Sequence, residues 1–333
     1  MATLGASFPD LIDIYKGQDG SGNFVPVIEM LSEMNPILDD AIAVECNKGT
    51  THLHTVRSGL PTVAWGKLYQ GIPNDKGGKA QVEDTTGFVE GRSTIDKRLL
   101  DLSGNPGAVR LSEASAYIEA MSQEVATKIF YGNSAADPEQ FMGLAPRFND
   151  TTAANGGQII QAGGVGADNT SIWFVTWGDE QCQLLYPKGT NAGVQREDKG
   201  EQRLTDGSGD AYYGMEEIFT WNVGLAVKDW RYVSRICNID VSLMAAGSVA
   251  LYDFMRQAYY RLQNRRVAGG NMAIYCNRDV LEALDALAAN AGASDSFIRL
   301  KPGTDIQGKE ILTYRGIPIR ESDAILNNEA LVS

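Results

Sequence analysis

The chain has 333 residues, 43% of them apolar and 21% charged, with a formal net charge of −13. That length supports a substantial core and either two domains or one elaborated fold. The acidic balance opposes attraction to a phosphate backbone, because such a surface gains nothing from counterion release, and so argues against sequence-reading of nucleic acid.

The opening MATLGASFPD shows no basic segment followed by an apolar one, and nowhere do eighteen apolar residues run together. Neither secretion nor membrane spanning is expected, and the expected origin is cytoplasmic. Cys46, Cys182, Cys237 and Cys276 are far apart and form no CxxC pair. They read as small buried hydrophobes, not as a disulfide framework or a zinc knuckle.

Residues 1–50 mix apolar clusters such as Phe24, Val25, Val27 and Ile28 with Gly and Asp, and predict an N-terminal arm with one or two short helices. From Leu53 to Tyr69 the chain becomes strand-like, with Val63, Trp65 and Tyr69 on one parity. Pro73 to Lys79 is a dense turn signal, and Ala80 to Arg98 returns with Val82, Thr86 and Phe88 on one parity. Residues 55–97 thus predict a long β-hairpin, whose arms would reach roughly 45–55 Å at about 3.3 Å per residue. So polar a ribbon is marginal alone and needs a surface from elsewhere. Its charges, Lys67, Asp75, Lys76, Lys79, Glu83, Asp84, Glu90 and Arg92, are balanced in sign and favour docking on a neighbouring subunit over an idle excursion.

Beyond the turn Ser103 to Gly107 the period becomes helical. Leu111, Ala114, Ile118, Met121, Val125 and Ile129 predict one helix face through Tyr131, with Gly132-Asn133 as the stop and Glu119 on the opposite face. Residues 149–170 are rich in Gly, Ala, Asn and Thr and predict a mobile or extended connection. SIWFVTWG (171–178) predicts a strand buried on both faces. Residues 187–211 predict a second structure-poor excursion, too long to be idle. Strict alternation over Phe219, Trp221, Val223, Leu225 and Val227, with a bend at Lys228-Asp229 and a return over 230–240, predicts a core hairpin. A helix over about 247–266 follows, ending in the basic cluster Arg261, Arg265 and Arg266. A short strand at 273–276 leads into a helix capped by Asn277, and 311–325 predicts strand, Gly turn, strand, with Pro318 on an edge.

Little in the chain points to catalysis. The only histidines, His52 and His54, would share a strand face, but no Cys, Asp or Glu stands near them in sequence at ligand spacing, and two strand residues facing polar surroundings is the simpler reading. There is no G-x-S-x-G elbow beside them, and Gly78-Lys79 fails the phosphate-loop pattern. No catalytic, cofactor or metal site is expected. The arginine cluster is more economically read as an intersubunit salt bridge than as a nucleic-acid contact.

The order of N-terminal arm, extended two-stranded loop, long helix, Gly-rich connection and mixed region with a charged excursion resembles tailed-phage major capsid proteins of the Hong Kong 97-type α+β fold. SIWFVTWG…LLYPKGTNAGVQREDKGE…YYGMEEIFTWNVGLAVKDWRYVSRICNID (171–240) resembles epsilon15-type and Bordetella-phage-type podovirus capsid proteins, and TYRGIPIRESDAI is similar to the end of many such chains. The resemblance implies an N-terminal arm over 1–54, an E-loop hairpin over 55–98, and a P-domain over 99–179 with its spine helix at 107–131. It further implies a mainly A-domain stretch over 180–305 and a return to the P-domain over 306–333. It implies a virion shell of hexamers and pentamers enclosing double-stranded DNA and assembled in the host bacterial cytoplasm, with scaffold and portal as partners, a cement protein as a further one, and no membrane. The assembly interface would draw on Trp65, Lys67, Lys76, Lys79, Val82, Phe88 and Arg92. Contacts are expected to be non-covalent, since no carboxylate partner can be placed for a lysine cross-link. An encapsulin-like compartment shell has the same fold and is the alternative. A cytoplasmic α/β enzyme is the reading from another class.

Overall fold

The computed structural model describes residue 9 and residues 32–206, 208–265, 269–289, 300–304 and 310–333. Most of the expected N-terminal arm, and Arg266 of the basic cluster, lie outside these. In chain order the elements are α1 (Ile37–Asp40), β1 (Ala43–Glu45), β2 (Thr51–Arg57), β3 (Lys79–Asp96), α2 (Lys97–Leu102) and α3 (Pro106–Tyr131). Then come α4 (Leu144–Arg147), β4 (Ile159–Gln161), β5 (Asn169–Trp177), β6 (Cys182–Tyr186), β7 (Val194–Thr205), β8 (Ala211–Val227) and β9 (Val233–Asp240). The chain closes with α5 (Val241–Ala245), α6 (Leu251–Arg261), β10 (Asn271–Cys276), α7 (Arg278–Ala289), β11 (Lys301–Thr304), β12 (Glu310–Tyr314) and β13 (Ile317–Glu321). This is a mixed α+β fold.

Every residue of β5 is buried, as its apolar run predicts. Its alternation divides two cores. Trp173, Val175 and Trp177 point into a cluster with Val125, Ile129, Phe130 and Leu144 from α3 and α4. Ile172 and Phe174 point into a second cluster with Met255 and Ala258 of α6 and Val280 and Leu284 of α7. Asn277 Oδ1 accepts from the Val280 amide at 3.0 Å, the expected cap of α7. All four cysteines are buried and free. Burial pushes the Cys182 and Cys276 thiols up to about 12 and Cys237 up to about 11, so they behave as hydrophobes.

Several connections differ from those the periodicity predicts. The 187–211 excursion contains a strand of its own, β7, which pairs antiparallel with β8. Its mixed charges hide it, because both faces of much of it are exposed. The hairpin expected over 219–240 does not form. β8 pairs with β7, β3 and β6, while β9 crosses to pair with β5 and β4, so adjacency in sequence is not adjacency in the sheet. The Gly-rich 149–170 connection contributes β4, whose Ile159 and Ile160 are buried against β9. Helix α6 ends at Arg261, short of the expected 266. Pro318 is not on an edge, since β13 lies between β12 and β10. Arg315 and Gly316, both with positive φ, make the two-residue turn, and the ladder with β10 starts only at Ile319, so the missing proline N–H falls just before it.

β8 is the axis of a three-stranded ribbon. It pairs with β7 along one edge and, from Thr86↔Gly224 to Asp96↔Gly214, with β3 along the other. Helix α3 lies across this ribbon. Asn105 caps it through the Ala108 amide and Pro106 fills its first turn. Tyr117 stacks on Phe219 with ring centroids 5.4 Å apart and donates to the Arg92 carbonyl at 2.9 Å. A Cβ on Gly91 would lie 2.8 Å from the Tyr117 ring, so the close approach requires glycine there. Buried Glu217 of β8 holds Arg110 of α3 and, through two bonds of 2.8 Å, Arg196 of β7, while Arg110 also reaches Asp198 at 2.6 Å. Charge pins the first half of the helix and apolar packing the second.

The expected helix register holds at Ala114, Met121, Val125 and Ile129, which are buried, and fails at two positions. Leu111 is 65% exposed and Ile118 42% exposed, because over the ribbon the inward places go to Val109, Arg110 and Tyr117. Met121→Asp should therefore bury an unpaired charge and cost roughly 3–5 kcal/mol, which unfolds a typical domain. Ile118→Asp should leave the melting temperature of the free subunit within a few degrees of wild type; equal losses in both variants would contradict this placement.

The hairpin root is held by a buried polar cluster. His52 stands opposite Asp84 and His54 opposite Val82, all on one face of the β2–β3 ladder. Asp84 is committed to Arg147 of α4 at 2.7 Å and lies 3.7 Å from His54 Nδ1, beyond hydrogen-bond range. Burial, reinforced by Lys228, holds both imidazoles below their ordinary value; Asp84 opposes the shift without cancelling it. A group charged less readily in the folded than in the unfolded state leaves stability intact above about pH 6.5 and lowers it as pH falls through that value. Amide protection factors across residues 51–57, with the intrinsic exchange rate at each pH divided out, should fall more than those across β5 as pH is lowered from about 7.5 to about 5, and the double change His52→Gln/His54→Gln should abolish the difference.

Candidate assembly surface

The long hairpin predicted from sequence is paired over only seven residues of each strand, from Thr51↔Thr85 to Arg57↔Lys79. From Thr86 onward β3 leaves β2 and joins β8 in the main sheet, which buries Ser93 and Ile95. The ribbon is thus half arm and half core. Its polar sequence conceals the division, because the residues of β3 that face α3 include Gly91 and Ser93.

Residues 58–78 form no strand. Their root is closed by hydrogen bonds from the Ser58 amide to the Gly78 carbonyl and from the Gly78 amide to the Gly59 carbonyl, each 3.1 Å. Asp75 crosses the loop to accept from the Thr62 amide at 2.7 Å, and hydrogen bonds to Thr62 and Lys76 hold its carboxyl below the usual range. A turn over Lys67–Gln70 places Tyr69 at φ 63, a left-handed backbone that a bulky residue seldom adopts. Ala64 to Lys67 and Gln70 to Pro73 fold round an open cavity.

What this loop presents is apolar. Leu60, Val63, Trp65, Leu68, Tyr69 and Ile72 are each at least 81% exposed. Such a concentration marks an interaction site, since scattered single exposures are normal and clustered ones are not. The predicted interface residues are distributed unevenly around it. Trp65 is within the apolar loop, and Lys67 and Lys76 lie exposed beside it. Lys79 opens β3 opposite Arg57, and Val82 is half-buried opposite His54. Phe88 is exposed, but on the sheet-bound part of β3, so the expected Trp65, Val82 and Phe88 stripe spans three separate settings. Arg92 lies 3.5 Å from Glu216 of its own subunit and remains 65% exposed. Lys67, Lys76 and Lys79 have no ion pair among the described residues. Leu60, Leu68 and Ile72 escape a reading that counts charges; the signal was the apolar spacing in LPTVAWGKLYQGI. Leu111 and Ile118, one above the other two turns apart on α3, add a second exposed apolar line.

Among the described residues no group of three or more His, Cys, Asp or Glu is placed to hold a metal, and no helix is long and apolar enough to cross a membrane. The candidate surface is built of a loop, a strand and a helix.

The family described as major capsid protein GP7 matches residues 19–333. A solved structure of bacteriophage Epsilon15 is 37% identical over 100% of this chain and 99% of its own, with a TM-score of 0.77. The capsid of bacteriophage JBD30, 10% identical over 97% of this chain and 96% of its own, shares the fold with a TM-score of 0.51. No curated protein matches. By the extent of the family match and by its likeness to Epsilon15, the chain belongs to the family of major capsid protein GP7.

Proposed function

We propose that residues 58–78 are the arm by which one subunit grips the next in a phage head. As a major capsid protein the chain builds the icosahedral shell of a tailed bacteriophage. The observation that carries the arm's role is the set of bare apolar side chains from Leu60 to Ile72, which no described residue of the same subunit covers. In this reading residues 55–98 are the E-loop, 107–131 the spine helix of the P-domain, and 180–305 mainly the axial domain. Subunits gather as hexamers and pentamers in the host cytoplasm around scaffold and portal, enclose DNA without reading its sequence, and leave an outer surface for a cement protein. The encapsulin alternative has the same fold, but a match over residues 19–333 to a phage capsid family favours the phage head.

Magnitudes decide which residues of the arm matter. An exposed ion pair contributes about 0–1 kcal/mol, whereas burying a large apolar side chain contributes about 1.5–3 kcal/mol. Trp65→Ser should thus raise the concentration needed for assembly more than Lys76→Glu/Lys79→Glu does, with free-subunit melting unchanged in both. Light scattering and negative-stain images measure this. Deleting residues 60–76 should leave a soluble subunit that forms no closed shells. Normal shells from that deletion would end the arm reading, and a wild-type chain that stays monomeric under all conditions would end the shell reading.

A further inference from the structure

The C-terminal end of α6 and the turn between β12 and β13 bring arginines and tyrosines together. Arg265 donates to the Tyr259 and Tyr260 carbonyls at 3.0 and 3.1 Å and lies 4.8 Å from the Tyr260 ring centroid. Arg315 lies 5.0 Å from the Tyr259 ring and donates to the Tyr260 hydroxyl at 3.1 Å. Arg256 and Arg261 are exposed on the same helix, and Tyr260 is 58% exposed between them. Among the described residues one carboxylate is paired with these four cations, Asp253, 2.9 Å from Arg256, and Arg261 donates to the Gly157 carbonyl. Elsewhere on the chain α7 turns Val280 and Leu284 into the core and leaves Asp279, Glu282 and Asp285 exposed at successive spacings of three. Glu282 and Asp285 have no ion pair among the described residues. Like charges three apart on a helix repel unless a cation covers them.

We propose that in the shell the arginine–tyrosine patch of one copy receives the acidic outer face of α7 from a neighbouring copy. Two different patches of one chain then meet head to tail, the geometry that generates rings. Tyrosine and arginine are the residues that dominate binding at protein interfaces, and the carboxylates they need are present, uncovered, on every other copy. A chain carrying a net charge of −13 favours that partner over a polyphosphate. The inference rests on self-assembly of the chain and adds a specific contact to it.

Three full-length variants test it: Arg256→Glu/Arg261→Glu, Glu282→Lys/Asp285→Lys, and all four changes combined. Each double variant should raise the concentration for half-assembly about tenfold or more, and the combination should return it to within about threefold of wild type. Glu282 and Asp285 are exposed and have no ion pair among the described residues, so the melting temperature of that variant should not fall, which separates lost docking from lost folding. Either double variant assembling as wild type does, or a combination no better than the worse double variant, overturns the proposal and leaves the shell reading standing. So does a patch variant that assembles normally but loses affinity for a short DNA duplex, which would give the patch to nucleic acid. A wild-type chain that never assembles overturns both.

Discussion

Strand β3 exchanges partners between Thr85 and Thr86, and the behaviour of the assembly surface follows from that exchange. Up to Thr85 it pairs with β2; from Thr86 to Asp96 it is a strand of the main sheet beside β8. Backbone hydrogen bonding along one continuous strand thereby fastens a bare loop to the subunit core. The loop itself contributes nothing to that core. Its six apolar side chains are exposed, and it is shaped by its own cross-links, the Ser58–Gly78 root and the Asp75–Thr62 bond. The fold of the subunit therefore does not depend on the loop's apolar side chains.

The fold has a second fixed point. Arg235, buried on β9, donates to Glu329 and to the Phe148 carbonyl, each at 2.8 Å, and lies 4.8 Å from the Trp173 ring centroid. Glu329 also accepts from Ser171 of β5 and from the Tyr131 hydroxyl at the end of α3. The buried ion pair satisfies its lone pairs within one network, which offsets the desolvation such a pair entails. Through it the C-terminal segment is tied at once to the central strand, to its neighbour and to the long helix. Ribbon and core are therefore joined twice, by β3 through the sheet and by α3 through this network.

The sequence is legible where one physical demand acts on a segment. β5 had to be buried on both faces, α7 needed a cap at Asn277, and α3 needed a stop at Gly132; each is where the pattern places it. Legibility fails where two demands meet. On α3 the period of apolar residues includes Leu111 and Ile118, yet the ribbon below presents Glu217 and Phe219, so Arg110 and Tyr117 face inward instead. β7 is disguised because it is charged and exposed on both faces, and β8 and β9 look like a hairpin although each pairs elsewhere. At the candidate assembly surface, the sequence reading weighs the balanced charges of the ribbon; it does not show that Arg92 lies beside Glu216 or that the large apolar side chains from Leu60 to Ile72 are left exposed. Pairing partners distant in sequence decide both.

A subunit with an uncovered apolar arm has to avoid joining its neighbours indiscriminately, and charge supplies the restraint. At −13 each copy repels every other over about a Debye length, roughly 8 Å at physiological ionic strength, so approach is favourable only where local complementarity overcomes the general repulsion. Apolar burial then supplies affinity without direction, and the charged contacts supply direction without much affinity. No single contact need be strong, because a closed shell repeats each of them in every subunit and a misplaced copy loses them together. In the proposed reading, a grip through Trp65 and its apolar neighbours is compatible with a net charge of −13: the charge that keeps free subunits apart narrows the ways in which they can come together.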